Sequence, residues 1–149
     1  VNKTAAVIAA ALAATVGGIA VAPQASAATS LESRALSVAK SKQGSPYQYG
    51  AAGPSKFDCS GLTYYSYKSV GKTLSRTAQA QFNHVHHIYY SQMKPGDLVF
   101  FGGVKSISHV GIYVGSGKIV NANTGSYRGY KVVVAPIGEY SGQRHYGRV

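Results

Sequence analysis

The sequence predicts an α+β domain with N-terminal helices packed on a C-terminal antiparallel sheet. Amphipathic helical periodicity is confined to the first half of the chain beyond residue 28, and short β-rich runs follow Pro95 and Gly96. Glycine-containing turns separate those runs, which points to antiparallel pairing. Helices first and strands later is the order of a segregated fold with the helices on one face of the sheet. The 149 residues contain neither an internal repeat nor a low-complexity linker, so one domain accounts for them.

Residues 1–27 read as an address in front of that domain. Lys3 precedes an uncharged stretch from Ala5 to Ala22, and Ala25 and Ala27 form an A-x-A site. The pattern predicts a secretory signal peptide cleaved after Ala27 and a domain over 28–149. A retained membrane anchor is the competing reading. The stretch is mostly Ala with Thr15, Gly17 and Gly18 inside, and such a span would cross a bilayer poorly.

Thr29 and Glu32 form a capping-box pattern, and Leu31, Ala35, Val38 and Ala39 then recur at helical spacing until Gly44 and Pro46. A helix over 30–43 is expected. A Gly- and Pro-rich loop over 44–56 leads to Asp58, a natural N-cap, and to a second periodic run with Leu62, Tyr65 and Val70 on its apolar face. Gly71 ends that run, Thr77 caps a short helix towards Phe82, and the polar segment 84–92 reads as loop. Strands are expected over 97–101, 109–114, 118–122, 131–136 and 145–149.

Fifteen Lys and Arg against four Asp and Glu give a net charge of +11, or +10 once Lys3 leaves with the signal peptide. The bases, Lys68, Lys72, Lys105 and Arg128 among them, are scattered singly. Nucleic-acid arms carry runs of Lys and Arg, so an anionic surface of another kind is the expected partner. One Cys rules out an intramolecular disulfide framework, and an unpaired thiol in an oxidising compartment calls for a chemical role. The group His84-x-His86-His87 lacks paired Cys or acidic ligands, so no metal is expected.

If Asp58 caps the second helix, Cys59 stands in its first turn, where free backbone N–H groups and the helix dipole favour a thiolate. His109 opens the run His109-Val110-Gly111-Ile112-Tyr113-Val114, in which 110, 112 and 114 face one way and 109, 111 and 113 the other. A three-residue Gly115-Ser116-Gly117 loop would pair 111 with 121 and bring Asn121 diagonally beside His109; a two-residue loop would give the wrong parity. The resulting Cys-His-Asn set suits acyl transfer: the imidazole takes the thiol proton and the amide oxygen holds the ring's other N–H.

Five stretches carry a resemblance to a known family. They are Pro46-Tyr47-x-Tyr49-Gly50, Phe57-Asp58-Cys59-Ser60-Gly61-Leu62, Ser75-Arg76-Thr77, Lys94-Pro95-Gly96-Asp97-Leu98-Val99-Phe100-Phe101 and Ile107-Ser108-His109-Val110-Gly111-Ile112-Tyr113-Val114-Gly115. Their types and order resemble the NlpC/P60 cell-wall peptidases. The resemblance implies a compact papain-like α+β fold and a secreted, cofactor-free cysteine peptidase acting as a monomer on peptidoglycan stem peptides, commonly between D-isoglutamate and the diamino acid. It implies Cys59 as nucleophile, His109 as base and Asn121 as third polar residue, where many relatives have His. Tyr47 resembles the tyrosine that helps the Cys backbone N–H hold the oxyanion, and Asp58, Ser60, Arg76 and Ser108 fall at the oxyanion and substrate groove. Tyr49 stands where Trp is common and Ala51 where a second Gly is common, so the groove is expected to differ.

The excess positive charge then fits attraction to anionic wall polymers. Two readings stay open beside the peptidase: a catalytically silent wall-binding module using the same groove, and an enzyme that acts on another amide or passes the acyl group to an amine.

Overall fold

The computed structural model describes residues 30–125 and 127–149; the expected signal peptide and its cleavage point after Ala27 lie outside the described residues. Three helices, α1 (Leu31–Ser41), α2 (Cys59–Lys68) and α3 (Ala78–His84), precede most of the sheet. The strands are β1 (His86–Ile88), β2 (Leu98–Gly103), β3 (Ser106–Gly115), β4 (Lys118–Ala122), β5 (Val132–Pro136) and β6 (Arg144–Arg148). They form one sheet in the order β1-β6-β2-β3-β4-β5, with every pair antiparallel.

Alternation along β2 and β3 divides the apolar side chains between two faces. Leu98, Phe100, Val110 and Ile112 meet Ala35, Leu36 and Ala39 of α1 and Leu62 and Tyr67 of α2, which forms the main core. Full burial of a Leu, Ile or Phe contributes about 1.5–3 kcal/mol, so this layer is the chief source of cohesion. Val99, Phe101, Tyr113 and Ile119 face the other way, where Ile137, Met93, Tyr140 and Tyr146 join them in a smaller cluster. The Tyr67 hydroxyl donates to the Gly96 carbonyl at 2.7 Å and ties α2 to the start of β2. Beside it, buried Asp97 accepts from Arg148 Nε and Nη2 at 2.8 and 2.7 Å, which fixes β6 against the same corner.

Three expectations are corrected. First, the N-cap of α1 is Ser30, whose Oγ accepts from the Ser33 N–H at 3.1 Å; the expected cap, Thr29, lies outside the described residues. Second, segment 84–92 is not all loop: β1 pairs with β6 through His86↔Arg148 and Ile88↔Tyr146, and a 3₁₀ turn spans Tyr90–Gln92. A three-residue edge strand of mostly exposed side chains leaves no period to read, because its order comes from the β6 ladder.

The third correction concerns the β3–β4 hairpin, which has the two-residue turn expected to break parity. Ser116 and Gly117 have φ of +53° and +71° and Gly115 pairs with Lys118, so the chain reverses over two residues of positive φ. A bulge at Val114 then adds one residue to β3, and the register resumes as Tyr113↔Ile119 and Ile112↔Val120. Extended by one, it sets Gly111 beside Asn121, the pairing expected of the longer loop. A side chain at 111 would place its Cβ 3.2 Å from the Asn121 Cβ. Glycine there leaves Asn121 the room to lean towards His109.

Candidate active site

The loop over 44–58 is held to the domain by its backbone. Tyr47 N–H donates to the Tyr130 carbonyl at 3.0 Å, Gln48 N–H to Phe57 at 3.0 Å, and Asp58 N–H to Ala51 at 2.8 Å. Asp58 then caps α2 by accepting from Gly61 N–H at 2.6 Å. Gly61 has no Cβ because the Ala51 carbonyl occupies that space, so α2 starts directly against the loop. This contact sets Cys59 at the helix N-terminus beside Tyr47, and both residues line two adjoining clefts.

One cleft, of about 460 Å³, is bounded by Tyr49, Asp58, Ser60, Arg76, Gln79 and Ser108. Arg76 forks onto Asp58, with Nη2 2.8 Å from Oδ2 and Nη1 3.0 Å from Oδ1, and also donates to Ser60 Oγ at 3.0 Å. The second cleft, of about 320 Å³, is bounded by Phe101, His109, Thr124, Glu139, Tyr140 and Ser141. Tyr47, Cys59 and Ser108 belong to both, so the two volumes are halves of one groove with the thiol between them. Ser108 is exposed, and its Oγ donates to the Phe101 carbonyl at 3.3 Å.

His109 leaves β3 towards Asn121, its Nε2 lying 2.9 Å from Oδ1. The amide's orientation follows from its other atom: Asn121 Nδ2 donates to the Val133 carbonyl of β5 at 3.4 Å, and a flipped amide would set oxygen against oxygen. With Oδ1 an acceptor, Nε2 carries the proton and Nδ1 keeps the lone pair. Tyr140 reinforces the arrangement, since its hydroxyl donates to the same Oδ1 at 2.8 Å and its ring stacks on the imidazole at 5.0 Å and 20°. Phe101 tilts against the same imidazole at 5.7 Å and against Tyr140 at 5.2 Å, so the three rings form one cluster.

Burial dominates the site's protonation. It pushes the Cys59 thiol up, and Asp58 adds to the rise, while the N–H groups of Val110, Ser60 and Cys59 itself act in the opposite direction without prevailing. Burial also pushes His109 below the ordinary histidine range against the Asn121 hydrogen bond. Both shifts favour a neutral thiol and a neutral imidazole, a pair in which the imidazole takes the thiol proton as the sulfur reacts. Tyr47 is raised by burial and then by Cys59 and Asp58, which keeps its hydroxyl protonated and able to donate.

All eight residues singled out in the sequence line this groove or bind those that do, with Asn121 fully buried beneath it. Tyr140, Glu139, Thr124 and the Val133 carbonyl were missed. Tyr140 is one of 12 tyrosines on a segment with no local motif, and a 3₁₀ turn over Ile137–Glu139 delivers it to the site. The histidine group separates: His84 Nδ1 meets the Ala80 carbonyl at 2.7 Å, whereas His87 stacks on Phe82 with its Nε2 at the Phe82 carbonyl.

Comparison with known proteins adds the following. Residues 44–145 match the NlpC/P60 family. A Corynebacterium glutamicum protein described as a probable endopeptidase is 42% identical over 121 residues, 80% of this chain and 53% of the relative. The Bacillus subtilis bifunctional muramidase/DL-endopeptidase CwlT is 48% identical over 85 residues, 54% of this chain and 26% of that protein. This chain thus spans about half of the first relative and a quarter of the second. In fold it superposes on RipD of Mycobacterium tuberculosis, described as a non-catalytic NlpC/P60 domain protein adapted to peptidoglycan binding. The TM-score is 0.68 at 24% identity, over 80% of this chain and 98% of that one.

Proposed function

The chain belongs to the NlpC/P60 family, and from that premise we propose that it is a secreted cysteine endopeptidase hydrolysing peptidoglycan stem peptides at the D-isoglutamyl–diamino acid bond. The observation that carries this reading is the bond from His109 to a buried Asn121 whose amide orientation the sheet dictates, at the edge of a groove centred on Cys59. A silent binding module has no need of a histidine held in one tautomer. The family's action on peptidoglycan and the DL-endopeptidase description of the Bacillus relative support the substrate.

In the proposed reaction, Nδ1 of His109 accepts the Cys59 proton as the sulfur attacks the scissile carbonyl. Asn121 Oδ1 stabilises the imidazolium through Nε2–H, and the stacked Tyr140 ring restricts the imidazole on one face. The Cys59 N–H and the protonated Tyr47 hydroxyl are the donors for the oxyanion. The imidazolium next protonates the leaving nitrogen, and water attacks the thioester with the same histidine as base. The fork of Arg76 on Asp58 gives the other half of the groove a rigid polar wall for the acyl portion.

The test is mass spectrometry of fragments released from defined muropeptides by the protein and by Cys59→Ala. Thiol-dependent release of a fragment starting with the diamino acid is expected. Equal digestion by Cys59→Ala would sink the mechanism, and wall binding without any turnover would favour the binding module. Release of amine-exchanged products instead of free acid would favour acyl transfer. Export is tested by intact mass, which should correspond to a chain beginning at Ala28; a membrane-bound form retaining Lys3 would overturn it.

A further inference from the structure

Resting on the peptidase reading above, we propose that the half of the groove lined by His109 and Glu139 receives the leaving part of the stem peptide, and that the Glu139 carboxylate pairs with a free side-chain ammonium on that part. The halves differ in uncompensated charge. On the Arg76 side, Asp58 is committed to the guanidinium and to the Gly50 and Gly61 N–H groups, so that wall is an internally neutralised pair. On the other side the lining holds Tyr47, Phe101, Ser108, His109, Thr124, Tyr140 and Ser141, and its only carboxylate is Glu139.

Glu139 is exposed and forms no salt bridge among the described residues. The chain carries 15 Lys and Arg and only four acids, two of which, Asp58 and Asp97, do have an arginine partner. A carboxylate left open in the groove of so basic a protein is a point of attraction for a cation brought by the substrate.

Proton bookkeeping assigns the orientation. When the tetrahedral intermediate collapses, the C–N bond breaks, its electron pair stays on nitrogen, and the imidazolium delivers to that nitrogen the proton taken from Cys59. The leaving nitrogen must therefore lie next to His109, which borders only the Glu139 half of the groove. In the proposed substrate that nitrogen belongs to a diamino acid, whose second amine is a free ammonium in an uncross-linked stem and an uncharged amide in a cross-linked one. Glu139 thus selects uncross-linked stems.

The experiment uses two stem peptides that differ only in acetylation of the side-chain amine, with binding measured on Cys59→Ala by calorimetry. The free-amine peptide should bind about five-fold more tightly, the upper range for an exposed ion pair, and the ratio should shrink as salt rises. In Cys59→Ala/Glu139→Gln the ratio should fall to about one. Equal binding of the two peptides to Cys59→Ala, or a preference that survives Glu139→Gln, overturns the proposal. Cleavage by the intact enzyme is read separately: a Glu139-dependent preference without cleavage of either peptide supports the pairing and refutes the peptidase reading.

Discussion

Replacing Asn121 with Leu removes the acceptor that His109 Nε2–H and the Tyr140 hydroxyl share, at 2.9 and 2.8 Å, in a fully buried position. The His109 N–H is left without a partner, at a cost of about 1–3 kcal/mol of stability, while the Tyr140 hydroxyl keeps a longer bond to Asn123 Oδ1 at 3.4 Å. The effect on turnover has a separate origin. The imidazole becomes an imidazolium in the transition state, and a hydrogen bond to a charged group is worth about 1.5–3 kcal/mol, so kcat should fall about ten- to 150-fold. Asn121→His keeps an acceptor for the ring and should retain most activity, whereas Tyr140→Phe keeps the stack and loses one donor, for a fall of up to about ten-fold. The assay is steady-state cleavage of a soluble stem peptide, with circular dichroism to confirm the fold and nitrogen NMR of His109 to read its tautomer. Parental kcat in a folded Asn121→Leu protein would remove Asn121 from the site.

Three further predictions use other parts of the structure. Because burial depresses His109, its neutral, proton-accepting form persists as pH falls, so the acid limb of kcat/KM should have its midpoint below about 6.5; a midpoint above 7 would contradict the neutral pair. Arg148→Met leaves Asp97, whose side chain is 1% exposed, with only the Lys94 N–H, and should cost about 3–5 kcal/mol in urea unfolding; an unchanged midpoint would show that the pair contributes nothing. Binding to intact wall should fall steeply with salt while cleavage of a small peptide changes little, since charges such as Lys68, Lys72, Lys105 and Arg128 act on an extended polyanion and are screened beyond about 10 Å near 0.1 M salt. Coincident salt curves would assign the basic surface to the groove itself.

What could be read locally was read from the sequence alone. The Asp58 cap, the placing of Cys59 in the first turn of α2, the Thr77 cap and the five longer strands, β2 to β6, carry signals within a few residues, and those leave a pattern in the chain. The order of helices and strands was enough for the fold class, and the two stretches around Cys59 and His109 were enough to nominate the two residues that the fold brings to one cleft. The short edge strand β1 had no such pattern, because its backbone bonds are supplied by β6, some 60 residues on.

The tertiary structure decided three things that no local pattern carries. The parity linking His109 to Asn121 depends on a bulge at Val114 that compensates for a two-residue turn, and a bulge costs one unpaired residue without any required residue type. The protonation of the Cys59–His109 pair is set by how much protein surrounds each group: the helix N-terminus alone argued for a thiolate, and desolvation by the packed sheet outweighs it. Tyr140 and Glu139 reach the groove only because the chain beyond β5 turns back over the far face of the sheet, 30 residues after His109. Sequence distance says nothing about such approaches, since burial and long-range hydrogen bonding belong to the folded chain as a whole.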